Sequence, residues 1–347
     1  MVRDSMRSRR ATPHKDTKSA RGLYAIGVDV GGTKIASALM SSKGEIAFRI
    51  EEPTTKENTT DAVLSQIAKL IKKVMDRSKT SDLKIKGIGI ACATLMEKYD
   101  DKIKWSSNIP QIQCSTLKSF LKKSLGTSLP IFAVHDHVTP VLGEQWVGAA
   151  RGAKNAIYII LGTGIGSSIL IDGKPYDGVG LAGSIGWMLL GPNFMDKVYD
   201  EGCFESVCSG TGIARRTVKE IRKGSKTMLI NMVNNEIDAV TSKLVFDAAR
   251  KGDPLALKIV QETATYVGIV VSNLISTLAP EVVIIGGGVG QSADLLMDRI
   301  REIVSLYSQP YLAKKVIDGK IKIVPSSLGG DASLYGAAML VFMYTNG

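Results

Sequence analysis

Hydrophobic and polar positions along the chain form two blocks with one shared grammar. Residues 23–30 (LYAIGVDV) are apolar and β-rich and predict a strand. It breaks at Gly31-Gly32-Thr33-Lys34 and resumes as IASALM; Ser42, Lys43 and Gly44 make a turn, and EIAFRI predicts a third strand. Over 59–78 the apolar period changes: Val63, Ile67, Leu70, Ile71 and Val74 share one face of a helix opening on a threonine cap. IKGIGIACA and IFAVHD then predict buried strands.

About 130 residues further on the grammar restarts. NAIYIIL predicts a strand, followed by Gly162-Thr163-Gly164-Ile165-Gly166, then SSILI and the turn Asp172-Gly173-Lys174. Helices are predicted over 205–223, 243–251 and from Pro254 to Leu278. Glu281 opens a strand that runs into Gly286-Gly287-Gly288, with a helix at 292–306 after it. IKIVPSSLGGDASLYGAAMLVF closes the chain as strand, glycine turn and helix. One structural plan used in each of two lobes is the expectation, and the length of 347 residues agrees with two domains.

Composition adds limits. The chain is 44% hydrophobic and 22% charged, ordinary for a globular protein, but it has 35 glycines, and these gather at predicted strand ends. Cys92, Cys114, Cys203 and Cys208 show no CxxC spacing and are expected as reduced thiols in a cytoplasmic protein. No apolar run is long enough for a membrane span; Thr263, Thr265, Ser272, Asn273 and Ser276 interrupt the nearest candidate. Of the net charge of +11, residues 1–22 carry seven basic and two acidic side chains, leaving +6 for the remainder. That tail is expected to be disordered, without a secretory h-region, and any nucleic-acid contact is confined to weak contacts of this tail.

Several glycine turns after buried strands call for a common cause. A phosphate needs converging backbone N–H donors and no side chains in the way. Glycine at positive φ would let a hairpin turn provide them. Thr33 and Thr163 add hydroxyl donors, and Asp29 is suited to hold Mg²⁺ through water. Alone, GGTK is more readily a tight hairpin than a phosphate loop. Neither the Walker-A spacing nor a full GxGxxG occurs.

Val28-Asp29-Val-Gly31-Gly32-Thr33-Lys34, Leu161-Gly162-Thr163-Gly164-Ile165-Gly166 and Val283-Ile-Ile-Gly286-Gly287-Gly288-Val289 resemble the phosphate and adenosine motifs of ROK-family sugar kinases. The closing Leu328-Gly329-Gly330-Asp331-Ala332-Ser333-Leu334-Tyr335-Gly336 is similar to that family's C-terminal segment, so the resemblance covers roughly 23–345. It implies an α/β, two-lobed actin-like ATPase (ribonuclease H-like) fold with a mixed β-sheet and helices in each lobe. Residues 23–138 would form the small lobe, with the helix 331–347 packing back onto it, and 139–330 the large one. It also implies ATP and Mg²⁺ as cofactors, a sugar or polyol acceptor and a homodimer. Gly31, Gly32, Thr33, Lys34, Gly162, Thr163, Gly164, Gly166, Gly286, Gly287, Gly288 and Gly330 would contact nucleotide.

On the acceptor side Asp136, after IFAV and before Leu142-Gly143-Glu144, matches the family's catalytic aspartate; a helix N-cap is the alternative. Asn108 joins the acceptor-binding residues. His135 stands where the family has a sugar-binding Asn, and Val138 replaces another. In Ala182-Gly183-Ser184-Ile185-Gly186-Trp187, similar to the family's AGEIGH, Ser184 replaces a Glu and Trp187 a His. Trp187 would stack on a ring or, more in keeping with its size, fill core space. Glu205 is either an acceptor ligand or a helix cap. Of the family's zinc cysteines only Cys203 remains, the others falling on Asp196 and Val198, so no structural zinc is expected. These departures move the expected acceptor away from glucose. A hexose or N-acetylhexosamine kinase is the leading expectation; a kinase of a deoxy-ketoacid, cyclitol or pentose, or a catalytically weakened sugar-binding regulator, is the alternative. A transcription repressor is disfavoured, because 22 residues cannot form a winged helix-turn-helix.

Overall fold

The computed structural model describes residues 22–345 apart from 58, 82, 94, 97–101, 107–108, 110–111, 113–115 and 192–201. Most of the basic tail, Asn108, Cys114 and positions 196 and 198 therefore lie outside the described residues.

Two five-stranded mixed sheets organise the chain. In the first, β1 (Leu23–Val30), β2 (Lys34–Ser41) and β3 (Ile46–Pro53) form the predicted antiparallel meander. β4 (Lys84–Cys92) pairs parallel with β1, and a short ribbon of β5 (Leu95–Met96) and β6 (Ile103–Trp105) follows. β7 (Ile131–His135) pairs parallel with β4, giving the order β3-β2-β1-β4-β7. The second sheet repeats this with β8 (Ala156–Leu161), β9 (Ile165–Ile171) and β10 (Lys174–Tyr176) as meander, then β11 (Val282–Gly286) and β12 (Lys322–Pro325) in parallel, ordered β10-β9-β8-β11-β12. The two-lobed duplication expected from the sequence is the architecture found.

Helices cover the sheets where their apolar faces require it. α1 (Thr60–Thr80) opens on Thr59, whose Oγ1 accepts from the Ala62 N–H at 3.2 Å. Val63, Ile67, Leu70, Ile71 and Val74 are all fully buried on its inner face, each contributing about 1.5–3 kcal/mol by leaving water. α2 (Leu117–Leu125) and α3 (Thr139–Val147) follow. The helix predicted over 205–223 is two, α4 (Cys203–Cys208) and α5 (Gly210–Arg222). They part at Ser209, whose Oγ leaves α4 to cap α5 by accepting from the Gly212 N–H at 3.0 Å. α6 (Leu229–Met232) and α7 (Ser242–Arg250) lead to α8 (Pro254–Leu278).

By length and composition alone α8 is apolar enough to cross a membrane. Its apolar side chains instead fill the second core, with Ala256, Ala264, Val267, Val271 and Ile275 fully buried. α9 (Gly287–Gly290), α10 (Ala293–Tyr307) and α11 (Pro310–Ile317) complete that half. α12 (Ala332–Thr345) is apolar on most sides and lies across β1 and β4 of the first sheet and against α3. The approach is so close that a Cβ on Gly89 of β4 would collide with the Ala337 carbonyl oxygen.

Candidate functional site

The first glycine turn joins β1 to β2. The Gly31 N–H donates to the Lys34 carbonyl at 3.0 Å, closing a tight hairpin. Thr54 braces it from outside, its hydroxyl donating to the Gly31 carbonyl at 2.7 Å and its N–H to the Thr33 carbonyl at 3.0 Å. Gly32, Thr33 and Lys34 are left exposed. The Lys34 ammonium does not lie free at the turn as a phosphate ligand would; it pairs with Glu51 at 2.9 Å. Glu51 also accepts from Arg49 at 2.6 Å, and Arg49 reaches Asp331 at 3.0 Å. Lys34 and Arg49 hold the Glu51 carboxyl below its usual range. This chain of charges, missed in the sequence, ties the first turn to the last; the alternation of Arg49 and Glu51 on one face of β3 was its available signal.

The second turn, Gly162–Gly166, joins β8 to β9. The Gly162 N–H donates to the Gly164 carbonyl at 3.0 Å, and the Gly162 carbonyl accepts from the Gly210 N–H at 2.7 Å. The Thr211 hydroxyl donates to the Thr163 carbonyl at 3.2 Å. The first turn of α5 is thus fixed against this loop, while Thr163 is exposed. Glu205 caps no helix. Its Oε2 accepts from the Ile165 N–H at 2.7 Å, bracing the exit of the loop.

The third turn is the start of α9, so the glycines predicted to form a loop begin a short helix. Gly287 has φ +81°, and a Cβ there would collide with the Leu161 carbonyl oxygen of the second turn. The two turns line one cleft of about 970 Å³, with Gly162, Thr163, Thr211, Phe246, Gly288 and Val289 on its walls. Positive φ occurs at Gly287 but not at Gly31, Gly162, Gly164, Gly166, Gly286, Gly288 or Gly330. Several of these serve approach instead: a Cβ on Gly166, Gly288 or Gly330 would project into open space, where a ligand can come close to backbone.

The last turn, Gly329–Asp331, precedes α12 and hangs on a residue that the sequence reading used only as a landmark. Glu144 on α3 is fully buried. Its Oε1 accepts from the Ser326 hydroxyl at 2.6 Å and from the Ser327 and Leu328 N–H groups at 3.0 Å each. Its Oε2 accepts from the Ser327 hydroxyl at 2.8 Å and the Ala149 N–H at 2.6 Å.

Asp29 and Asp136 lie at the same end of the first sheet. Asp29 lies on β1 level with Ala91 of β4, which pairs with Val134 of β7, and Asp136 follows where β7 ends. The Asp29 carboxyl is pushed up to about 7, first by burial and then by the charge of Asp136, with Lys34 opposing. Asp136 opens a short 3₁₀ turn before α3, and its side chain caps neither; the residue before α3 makes no side-chain cap, and the cap of the 3₁₀ turn is His135 Nδ1. The capping alternative for Asp136 therefore fails. His135 Nδ1 lies 2.8 Å from Asp136 Oδ1.

Ser184 is exposed and donates to the Leu181 carbonyl at 2.8 Å. Trp187 is 57% exposed, so the core-filling expectation is corrected. Cys203 is buried, its sulfur accepting from the Leu190 N–H at 3.4 Å.

The family model described as the ROK family matches residues 25–343. The chain belongs to this family. A glucokinase of Halalkalibacterium halodurans is 34% identical over 93% of this chain and 96% of its own length. A xylose repressor of Caldicellulosiruptor bescii is 27% identical over 91% of this chain and 77% of its own. Among solved structures, a ROK family glucokinase from Streptomyces griseus in complex with glucose and AMPPNP has a TM-score of 0.73 and 26% identity, covering 92% of this chain and 99% of that one. The ROK family thus sets this chain beside both kinases and repressors, and its sugar-kinase relatives match it over nearly their whole length.

Proposed function

We propose that the chain is an ATP-dependent kinase that phosphorylates a hydroxyl of a sugar or sugar-like polyol, a hexose or N-acetylhexosamine first. The observation that carries this is the pairing of Asp29 with Asp136 at one sheet end, separate from a cleft lined by two glycine turns. The nucleotide would lie in that cleft with its phosphates on the backbone of Gly162–Gly166, Gly286–Gly288 and Gly31–Thr33. The AMPPNP in the glucokinase relative supports ATP as donor. A cation fits beside Asp29, because burial first and the charge of Asp136 second have driven its carboxyl toward neutrality. Asp29 would hold Mg²⁺ through water, and Mg²⁺ neutralises phosphate charge when bound.

Asp136 would take the proton from the attacking hydroxyl, which in-line transfer needs within hydrogen-bond reach. His135 and Ser184 would contact the acceptor, as would Glu205 through Oε1, which accepts no hydrogen bond within the described residues. The exposure of Trp187 supports ring stacking rather than packing. Asn108 belongs to this proposal on resemblance alone. The boundary between lobes at 138/139, the homodimer and a cytoplasmic location are parts of the same reading; undisulfided, buried Cys92, Cys203 and Cys208 support a reducing compartment.

The test is ADP release with Mg·ATP across hexoses, amino sugars, pentoses, deoxy-ketoacids and cyclitols. Turnover with one acceptor, abolished by Asp136→Asn, is the expected result. Tight nucleotide binding without turnover on any acceptor favours a second reading, a sugar-responsive regulator, for which the xylose repressor match and the replaced acceptor residues speak.

A further inference from the structure

His135, Asp136 and His137 bring three lone-pair atoms to one point. His135 Nδ1 lies 2.8 Å from Asp136 Oδ1 and 2.6 Å from His137 Nδ1. One donor atom from each of the three side chains lies within 4.8 Å of the other two. The His137 backbone N–H also approaches His135 Nδ1, at 3.3 Å. No one tautomer satisfies these contacts. With a hydrogen on His135 Nδ1, the ring meets the His137 N–H donor to donor. Without it, the nitrogen accepts from that N–H but opposes the carboxylate lone pairs. A cation on the shared side removes the conflict.

A second observation points the same way. His137 Nε2 is buried, with Asp177 Oδ1 at 3.4 Å, within ion-pair reach though off the line of a hydrogen bond. A carboxylate behind the far ring nitrogen favours the Nε2–H form and leaves Nδ1 as a bare ligand, the arrangement that backs metal-binding imidazoles.

We propose that His135 Nδ1, His137 Nδ1 and the Asp136 carboxylate form an exchangeable site for a borderline divalent cation such as Zn²⁺ or Co²⁺, and that its occupancy inhibits the enzyme. The two close donor pairs need to open by roughly 0.5–1 Å to bracket an ion at about 2.0–2.2 Å from each. Three protein ligands leave a fourth position for water. Mg²⁺ does not compete, since it prefers oxygen ligands and keeps its hydration. The site is distinct from the family's His/Cys zinc module. Inhibition rests on the reading of Asp136 as the acceptor's base, because a carboxylate held by metal cannot take the hydroxyl proton; binding itself does not rest on that reading.

The experiment uses the full chain with Mg²⁺ present, dialysed against micromolar ZnCl₂ and, separately, CoCl₂. One Zn²⁺ per chain and the visible absorption of low-coordinate Co²⁺ are expected, both lost in His137→Gln and weakened about tenfold or more in His135→Asn. Mg·ATP affinity stays unchanged in both variants. Added Zn²⁺ should lower the kcat of the wild type, a zinc-selective chelator should reverse this, and His137→Gln should turn over normally and resist it. Equal zinc content in the wild type and both variants overturns the site, as does no binding at micromolar metal. Binding without inhibition leaves the site standing and overturns its inhibitory role, and with it the role of Asp136.

Discussion

The two sheets share strand order and direction, yet their ends carry different chemistry. In the first, β1 places Asp29 two residues before its glycines, and β7 leads into His135, Asp136 and His137. In the second, the residue two before Gly162 is Ile160, and β12 leads into Ser326 and the Gly329–Gly330 turn. Topology thus provides a turn in both places. The neighbouring side chains decide whether it faces ionisable groups or only backbone donors. On the proposed function, the first sheet end would handle the proton and metal and the second would hold most of the nucleotide. The strongest way to break it is Asp136→Asn. We expect kcat to fall about a hundredfold to ten-thousandfold with ATP affinity little changed. Turnover that survives, measured by coupled ADP release, removes the base from the first sheet.

Asp29→Asn sharpens the same contrast through stability. A carboxyl whose folded value is about 7, against 3.8 in its ordinary state, keeps its proton longer in the fold than in the unfolded chain. Its stabilising effect is complete below the ordinary value and is lost as pH rises through about 7. The nucleotide-free wild type should therefore lose up to about 4 kcal/mol of stability between pH 4 and 8 from this group. Asn removes that slope and raises the melting temperature at pH 8, while turnover fails. Melting curves at several pH values, with and without Mg·ATP, check it; a slope unchanged by the substitution places Asp29 outside the charge conflict.

Glu144 ties α3 to the segment after β12, and its effect should be smaller. Truncation to Ala leaves the Ser326 and Ser327 hydroxyls and three backbone N–H groups without their acceptor. A loss of about 3 kcal/mol is expected, read by thermal and urea unfolding, with ATP affinity reduced because the Gly329–Asp331 turn loses its anchor. Glu144→Gln, which keeps one acceptor oxygen, should lose about half as much.

Local patterns carried much of this into the sequence. The period-two runs gave both meanders, and the spacing of Val63, Ile67, Leu70, Ile71 and Val74 gave α1 with its cap. Glycine clusters marked all the turns. What local pattern cannot express is a partner far along the chain. Glu144 reads as a helix residue until Ser326, Ser327 and Leu328 arrive from the far end. Lys34 reads as a phosphate ligand until Glu51 takes its ammonium from the neighbouring strand. Glu205 reads as a cap or ligand until the Ile165 N–H claims one oxygen. Steric clearance and positive φ, both of which a glycine can serve, leave the same letter in a sequence.

That ambiguity leads to the smallest expected effect. Gly287 and Gly288 are adjacent, but Gly287 is held at φ +81° against Leu161, whereas nothing lies within 4 Å of a Cβ built on Gly288. Gly288→Ala should therefore fold with an unchanged melting temperature, and a methyl on the cleft wall should weaken nucleotide binding about tenfold, or about 1.4 kcal/mol. Gly287→Ala should instead lower the melting temperature, because strain and collision both act before any ligand arrives. Titration of the two variants with AMPPNP, beside their melting curves, separates clearance from conformation. If Gly288→Ala binds nucleotide like the wild type, the second sheet's glycines are there for the fold, and the contrast between the two sheet ends loses its nucleotide side.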